Sequence, residues 1–195
     1  MNRWGIAHEL AGHDLRLGNE HEAINALKKC YRAIPNIVDR LPFEKNEMES
    51  QVSFRLGVAY MRLGETENCC AQNRPESCIL PIRGEGIHSR PEGSQKAIEC
   101  FTHVLAKTAT KDPLYQKALW LLNVAYMTIG GHPQNVPSKY LIPVSAFQSE
   151  ETFPRFVNIA QRLGVDTFSM CGGAIGDDLD GDGYVDLVAS SWNPD

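Results

Sequence analysis

The sequence predicts a mainly α-helical chain, an array of tetratricopeptide-like hairpins followed by a short C-terminal β-segment. Three observations predict it. Apolar residues recur at helical spacing in segments punctuated by Gly and Pro between residues 4 and 129. Those segments repeat one another at a period near that of 34-residue helical hairpin repeats. From Phe153 the helical pattern gives way to strand-like flanks around an acidic, Gly-rich loop.

Residues 4–35 read as the first hairpin. Ile6, Leu10 and Leu17 form one apolar stripe, Gly18-Asn19 breaks the run, and Ala23, Ile24, Leu27 and Tyr31 begin a second stripe that Pro35 closes. Residues 50–63 repeat the first half of that unit through Phe54, Leu56, Tyr60 and Leu63, ending at Gly64. Residues 94–108 repeat the second half through Ala97, Ile98, Phe101, Val104 and Leu105. Residues 115–129 give another first half, with Leu119, Leu122, Tyr126 and Ile129 before Gly130-Gly131. Residues 65–93 interrupt the second hairpin between its helices. After the last helix the Pro-punctuated stretch GHPQNVPSKYLIPVSAF stands where a second helix is expected. FPRFVNIAQRLGV, from Phe153, predicts a short strand and a helical turn. Ala174-Ile175 and Val185, Leu187 and Val188 flank the acidic loop as strands, the run 185–190 having no evident neighbour in the chain. The domains are therefore placed at 1–148, with the insertion at 65–93, and at 149–195, a linker and loop segment.

Composition narrows the function. The chain has 195 residues, 43% hydrophobic and 22% charged, so a packed core is expected and wholesale disorder is not. The net charge is −5 and the pI about 5.7. The basic excess that nucleic-acid binding favours is missing. No apolar run approaches the roughly 18 residues of a membrane span. The N-terminal MNRWGIAHEL shows no apolar core of a secretion signal.

The residues that carry chemistry are Asp178, Asp180, Asp182, Gly183 and Asp186, in the pattern D-x-D-x-D-G-x-x-x-D. Calcium takes six to eight oxygens at about 2.3–2.6 Å. Alternate Asp residues converge their carboxylates when a loop curls, and Gly183 permits the sharp turn. The carbonyl of Tyr184 offers the next oxygen and Asp186 closes the shell from the following strand. Without a cation, four carboxylates this close repel one another. The predicted ligands of a Ca²⁺ ion are Asp178, Asp180, Asp182, Tyr184 through its backbone, and Asp186. The other readings are a solvated acidic turn and, more remotely, a catalytic carboxylate pair.

Six cysteines are too sparse for a disulfide-built miniprotein. Cys30 and Cys100 lie in helical patterns as small core residues. Cys69, Cys70 and Cys78 share the loop NCCAQNRPESC, where a short disulfide from Cys78 to Cys69 or Cys70 is open and would imply an oxidising compartment. His8 and His13 in HELAGH are five apart, one too many for the zinc-protease helix, which rotates them by about 140°. They read as the surface of a repeat helix. Gly84-Glu85-Gly86 is a lone GxG in a loop. His88, His103 and His132 have no spaced partners, and Tyr60 and Tyr126 read as core.

The hairpins resemble the tetratricopeptide repeat: Gly18, Ala23 and Pro35 in the first copy, Leu56, Gly57, Tyr60 and Gly64 in the second, Tyr126 and Gly130 in the third. Asn123 departs from the pattern, standing where a small residue is usual. The stretch GGAIGDDLDGDGYVDLVAS resembles one calcium loop of an FG-GAP/VCBS repeat, the blade of integrin-type propellers. Together they resemble bacterial proteins that carry tetratricopeptide repeats ahead of an FG-GAP/VCBS propeller, whose propeller part is similar to the cartilage acidic protein and ASPIC/UnbV family. That resemblance implies a non-enzymatic, extracytoplasmic protein for interaction or assembly. A propeller needs several blades and this sequence holds at most half of one, which leaves a fragment of a larger propeller protein as one expectation. A self-assembling fibre or surface-layer subunit, pairing through its C-terminal strand, is another. The expected partner is a protein or a second copy of the chain. No nucleophile, base or cofactor motif supports an enzyme.

Overall fold

Helices α1 (Arg3–Arg16), α2 (Glu20–Ile37), α3 (Lys45–Glu65), α4 (Glu92–Lys107) and α5 (Pro113–Thr128) follow one another, each packing on the next. They belong to the first of two compact units, Met1–Thr152 and Phe153–Asp195. The computed structural model describes residues 3–71, 75–148, 157–166 and 171–191. The chain is mainly helical with a two-stranded antiparallel sheet near its C-terminus. Among the described residues no helix is long and apolar enough to cross a membrane.

α3 is the central element because it carries two apolar stripes. On one side Met48, Val52 and Ala59 join Ala11 of α1 and Ala23, Ile24, Leu27, Cys30 and Ile34 of α2. On the other Met61 joins Ala97, Phe101, Val104 and Leu105 of α4 and Tyr115, Ala118, Leu122 and Ala125 of α5. Tyr60 packs against both clusters and is half-buried. Tyr126 also flanks the second cluster rather than filling its centre.

The face of α1 differs from the expected one. Ile6, Leu10 and Leu17 are 44%, 56% and 60% exposed. The buried side is His8 and Ala11, with Trp4, Ala7 and Leu15 packed beside them. Small alanines let α1 lie close to its neighbours. The Trp4 and His8 rings stack 5.2 Å apart, and Trp4 Nε1–H donates to the Cys30 carbonyl at 2.9 Å. His8 is therefore a buried residue, not a surface one. Burial, and then the Arg55 guanidinium, pull its pKa down to about 4.

Pro35 does not end α2, which continues to Ile37 and then tightens into a 3₁₀ turn, Val38–Arg40. A proline this near the C-terminus removes only one intrahelical bond, and the fully buried Ile34 holds the last turn in place.

The insertion leaves α3 and α4 in direct contact. An alanine Cβ at Gly93 would lie 2.7 Å from the Tyr60 carbonyl oxygen and 2.9 Å from the Gly64 nitrogen, so α4 starts against the backbone of α3. α3 runs on into a π-helical turn, Thr66–Cys70. From that turn buried Asn68 spans the ends of the insertion. Its Nδ2 donates to the carbonyls of Gly64 (2.8 Å) and Arg90 (3.0 Å), and its Oδ1 accepts from the Arg90 N–H (2.9 Å). The far ends of the two helices are joined by the Lys107–Glu49 ion pair, which holds the Glu49 carboxyl below its usual pKa.

α5 starts on an Asp112 cap, whose side chain accepts from the Leu114 N–H at 2.7 Å, with Pro113 at the first helical position. Asn123, fully buried, explains why a helix need not follow. Its Nδ2 donates to Leu119 O (2.9 Å) and Tyr140 O (2.8 Å), and its Oδ1 accepts from Ile142 N–H (2.9 Å). The side chain thus clamps the chain against α5 where it leaves the 3₁₀ turn Ser138–Tyr140, and Val136 and Tyr140 complete the core.

In the second unit, α6 is the single turn Ala160–Leu163, ended by Gly164 at φ +69. The strand expected ahead of it begins on residues outside those described, and 157–159 carry no regular structure. β1 (Cys171–Asp177) and β2 (Asp186–Ser191) pair antiparallel, Ala174 with Ala189, Ile175 with Val188, Gly176 with Leu187 and Asp177 with Asp186. The second strand, expected to lack a neighbour, therefore has one in β1.

Three substitutions test this packing by urea denaturation. Gly93→Ala is expected to destabilise the fold by roughly 1–3 kcal/mol, because backbone atoms of α3 occupy the new methyl's position. Gly12→Ala, whose Cβ meets only the Arg55 guanidinium end at 3.4 Å, is expected to be neutral or stabilising by up to about 1 kcal/mol. Asn123→Ala leaves the Tyr140 carbonyl and Ile142 amide unpaired, at an expected loss of about 2–3 kcal/mol. Its local signature is lost hydrogen-exchange protection at the Ile142 amide.

Candidate metal centre

The pairing of Asp177 with Asp186 is the last rung of the hairpin, and the loop between them is shaped by its own carboxylates. Gly181 and Gly183 take φ of +78 and +90, which side-chain-bearing residues rarely adopt. Asp178 is the hub. Its Oδ1 accepts from the N–H groups of Gly181 (2.8 Å) and Asp182 (3.0 Å), and its Oδ2 accepts from Gly183 N–H (3.0 Å). Asp180 Oδ1 accepts from Asp182 N–H at 3.1 Å, and Asp182 Oδ1 from Tyr184 N–H at 2.9 Å. Asp186 Oδ2 reaches back across the loop to Leu179 N–H at 3.0 Å. At the loop entrance Asp177 Oδ1 accepts from Asp178 N–H at 2.9 Å.

These bonds curl the chain and bring one carboxylate oxygen from each of Asp178, Asp180 and Asp186 within 4.8 Å of one another. Oxygens on opposite sides of a calcium ion lie about 4.6–5.2 Å apart, twice the usual Ca–O distance. The three oxygens therefore fit one coordination sphere of that size. Asp182 lies outside this three-carboxylate group, its Oδ1 turned to the Tyr184 amide. Asp178 and Asp180 are exposed and Asp186 half-buried, so waters have access to the remaining positions. Asp177, which sequence spacing leaves out, shares in shaping the loop. Its place directly before the D-x-D-x-D run is the signal that was available.

The other candidates fall elsewhere. His13 is exposed on α1, as expected of a helix surface. His103 Nε2 lies 3.4 Å from the Tyr31 hydroxyl, and His132 Nε2 donates to Ile142 O at 3.0 Å. The Gly84–Gly86 segment is a 3₁₀ turn. Cys69 Sγ lies 3.4 Å from His88 Nε2, while the side chain of Cys78, needed for the expected disulfide, lies outside the described residues. Comparison with protein families, with curated proteins and with solved structures finds no match to this chain.

The loop geometry gathers three aspartate oxygens at spacings that can hold a metal ion. Asp180→Asn is expected to weaken calcium binding at least about tenfold, or 1.4 kcal/mol. Asp182→Asn, which keeps an oxygen for the Tyr184 amide, is expected to weaken it less. Isothermal titration of the full chain measures both, and equal losses would place Asp182 in the ligand set on a par with Asp180.

Proposed function

We propose that this chain is a non-enzymatic module for protein interaction or assembly, working outside the cytoplasm, whose β1–β2 loop binds a calcium ion. The observation that carries the reading is the convergence of the Asp178, Asp180 and Asp186 oxygens on a loop held by its own backbone amides. Asp182 and the Tyr184 carbonyl complete the ligand set together with water. An open loop with exposed ligands suits the weak regime of extracellular calcium modules, roughly 10⁻⁴–10⁻³ M. The likeness of this loop to an FG-GAP/VCBS repeat supports the same location and role.

The ion's work is structural. A lone two-stranded hairpin is marginal in water, and a cation joining the loop's start to its end at Asp186 stiffens the turn. Because the folded loop alone offers the converged ligands, binding adds stability by linkage, about 2.7 kcal/mol at a calcium concentration a hundred times Kd.

For the interaction half, the helical unit offers a cleft of about 480 Å³ walled by Trp4, Pro42, Phe43 and Met48, with Glu47 and Arg55 among its polar groups. Apolar walls with a few charges suit a peptide side chain of a protein partner. Assembly between copies is the second reading, favoured by Ile175, Val185, Leu187 and Val188, each at least half exposed on the hairpin. Each strand of a two-stranded sheet also keeps one open edge on which another strand can pair.

Calcium is expected to slow amide exchange in 171–191 of the full chain, and chelation to restore it. Unchanged exchange at millimolar calcium refutes the metal half. Sedimentation velocity on the same samples separates the two readings of assembly: a calcium-dependent larger species supports pairing of copies, and a monomer throughout leaves a heterologous partner.

A further inference from the structure

Where the end of α3, the start of α4 and the end of α5 meet, a line of polar side chains crosses the interior. The Thr128 hydroxyl lies 2.8 Å from the Ala125 carbonyl and 2.8 Å from Ser94 Oγ, and Ser94 Oγ lies 3.1 Å from His88 Nδ1. His88 Nε2 faces Cys69 Sγ at 3.4 Å. His88, Ser94 and Thr128 are buried, whereas Cys69 is half-exposed. The His88 backbone is fixed as well, its N–H donating to Thr128 O at 2.8 Å.

Proton counting sets the direction of this line. A carbonyl can only accept, so the single Thr128 hydroxyl proton goes to Ala125 O. The proton between the hydroxyls then comes from Ser94. With its own proton so used, Ser94 Oγ accepts from His88 Nδ1–H. That tautomer leaves a lone pair on Nε2, aimed at the Cys69 sulfur. Burial lowers the pKa of His88, which keeps the ring neutral with its Nε2 lone pair present. The arrangement is a thiol, a base within reach and a third group that orients the base. It also lies on a π-helical turn, a local irregularity common at functional sites.

We propose that Cys69 is a nucleophile activated by His88 and that it forms covalent adducts with small carbon electrophiles. In the reaction His88 Nε2 takes the thiol proton as the sulfur pair attacks the electrophilic carbon. An S–C bond forms, the leaving group departs with its bonding electrons, and the proton passes from the imidazolium to water. With a conjugated carbonyl there is no leaving group, and the proton ends on the carbon next to the carbonyl. Cys69 is only half-exposed, which restricts the partner to a small molecule.

The full chain is treated with substoichiometric iodoacetamide at pH 7, and tandem mass spectrometry of the tryptic peptide Leu63–Arg83 follows Cys69 and its neighbour Cys70 separately. His88→Gln is expected to slow labelling of Cys69 at least about tenfold, as lost general-base assistance implies, and to leave the rate at Cys70 and the helical circular dichroism unchanged. If that variant loses its helical signal, Ser94→Ala decides instead, because it removes the acceptor that orients the ring and leaves His88 and Cys69 in place. Its expected effect is a severalfold drop at Cys69 alone. An unchanged Cys69 rate in a folded His88→Gln chain overturns the proposal, and so does an unchanged rate in Ser94→Ala.

Discussion

The backbone of α4 begins in contact with the backbone of α3, at Gly93 against Tyr60 and Gly64, and most of the helical unit depends on that approach. No side chain fits between them, so helix separation at this point is set by main-chain van der Waals radii. Further along the same pair, Gly57 leaves the space that the Phe101 ring fills. α3 can then serve two neighbours at once, burying one stripe against α2 and another against α4. The insertion of residues 65–93 is tolerated because its ends are brought together by this contact and bridged by Asn68, which hydrogen-bonds backbone groups of Gly64 and Arg90.

Two asparagines, Asn68 and Asn123, do by hydrogen bonding what a regular hairpin repeat does by helix packing. An amide side chain offers donors and an acceptor on one rigid plane. Buried, it must be satisfied, and so it fixes the path of the backbone that satisfies it. Asn123 accordingly holds a 3₁₀ turn and the chain leaving it where the repeat pattern calls for a helix. A small residue there would leave the Tyr140 carbonyl and Ile142 amide unpaired.

The acidic loop is organised on a different principle. Its carboxylates are exposed but for half-buried Asp186, and like charges are gathered by backbone amides rather than by salt bridges. Three N–H groups converge on Asp178, a nest of partial positive charge that lets neighbouring carboxylates approach. The same bonds aim oxygens of Asp178, Asp180 and Asp186 toward a common point.

The sequence by itself determined the helical class, the five long helices apart from the first turn of α3 at 45–49, the two strands and the loop between them. Each follows from local rules: apolar period, glycine at turns, alternate aspartates before Gly183. Tertiary structure alone decided which face of α1 is buried, because Trp4, Ala7 and Ala11 fit closely where Ile6 and Leu10 would hold α2 away. It alone joined Cys69, His88, Ser94 and Thr128, which are up to 59 positions apart in the chain, and turned Asn123 from a departure into a clamp. Packing complementarity and hydrogen-bond satisfaction are properties of pairs distant in the chain, and no window of sequence contains both partners.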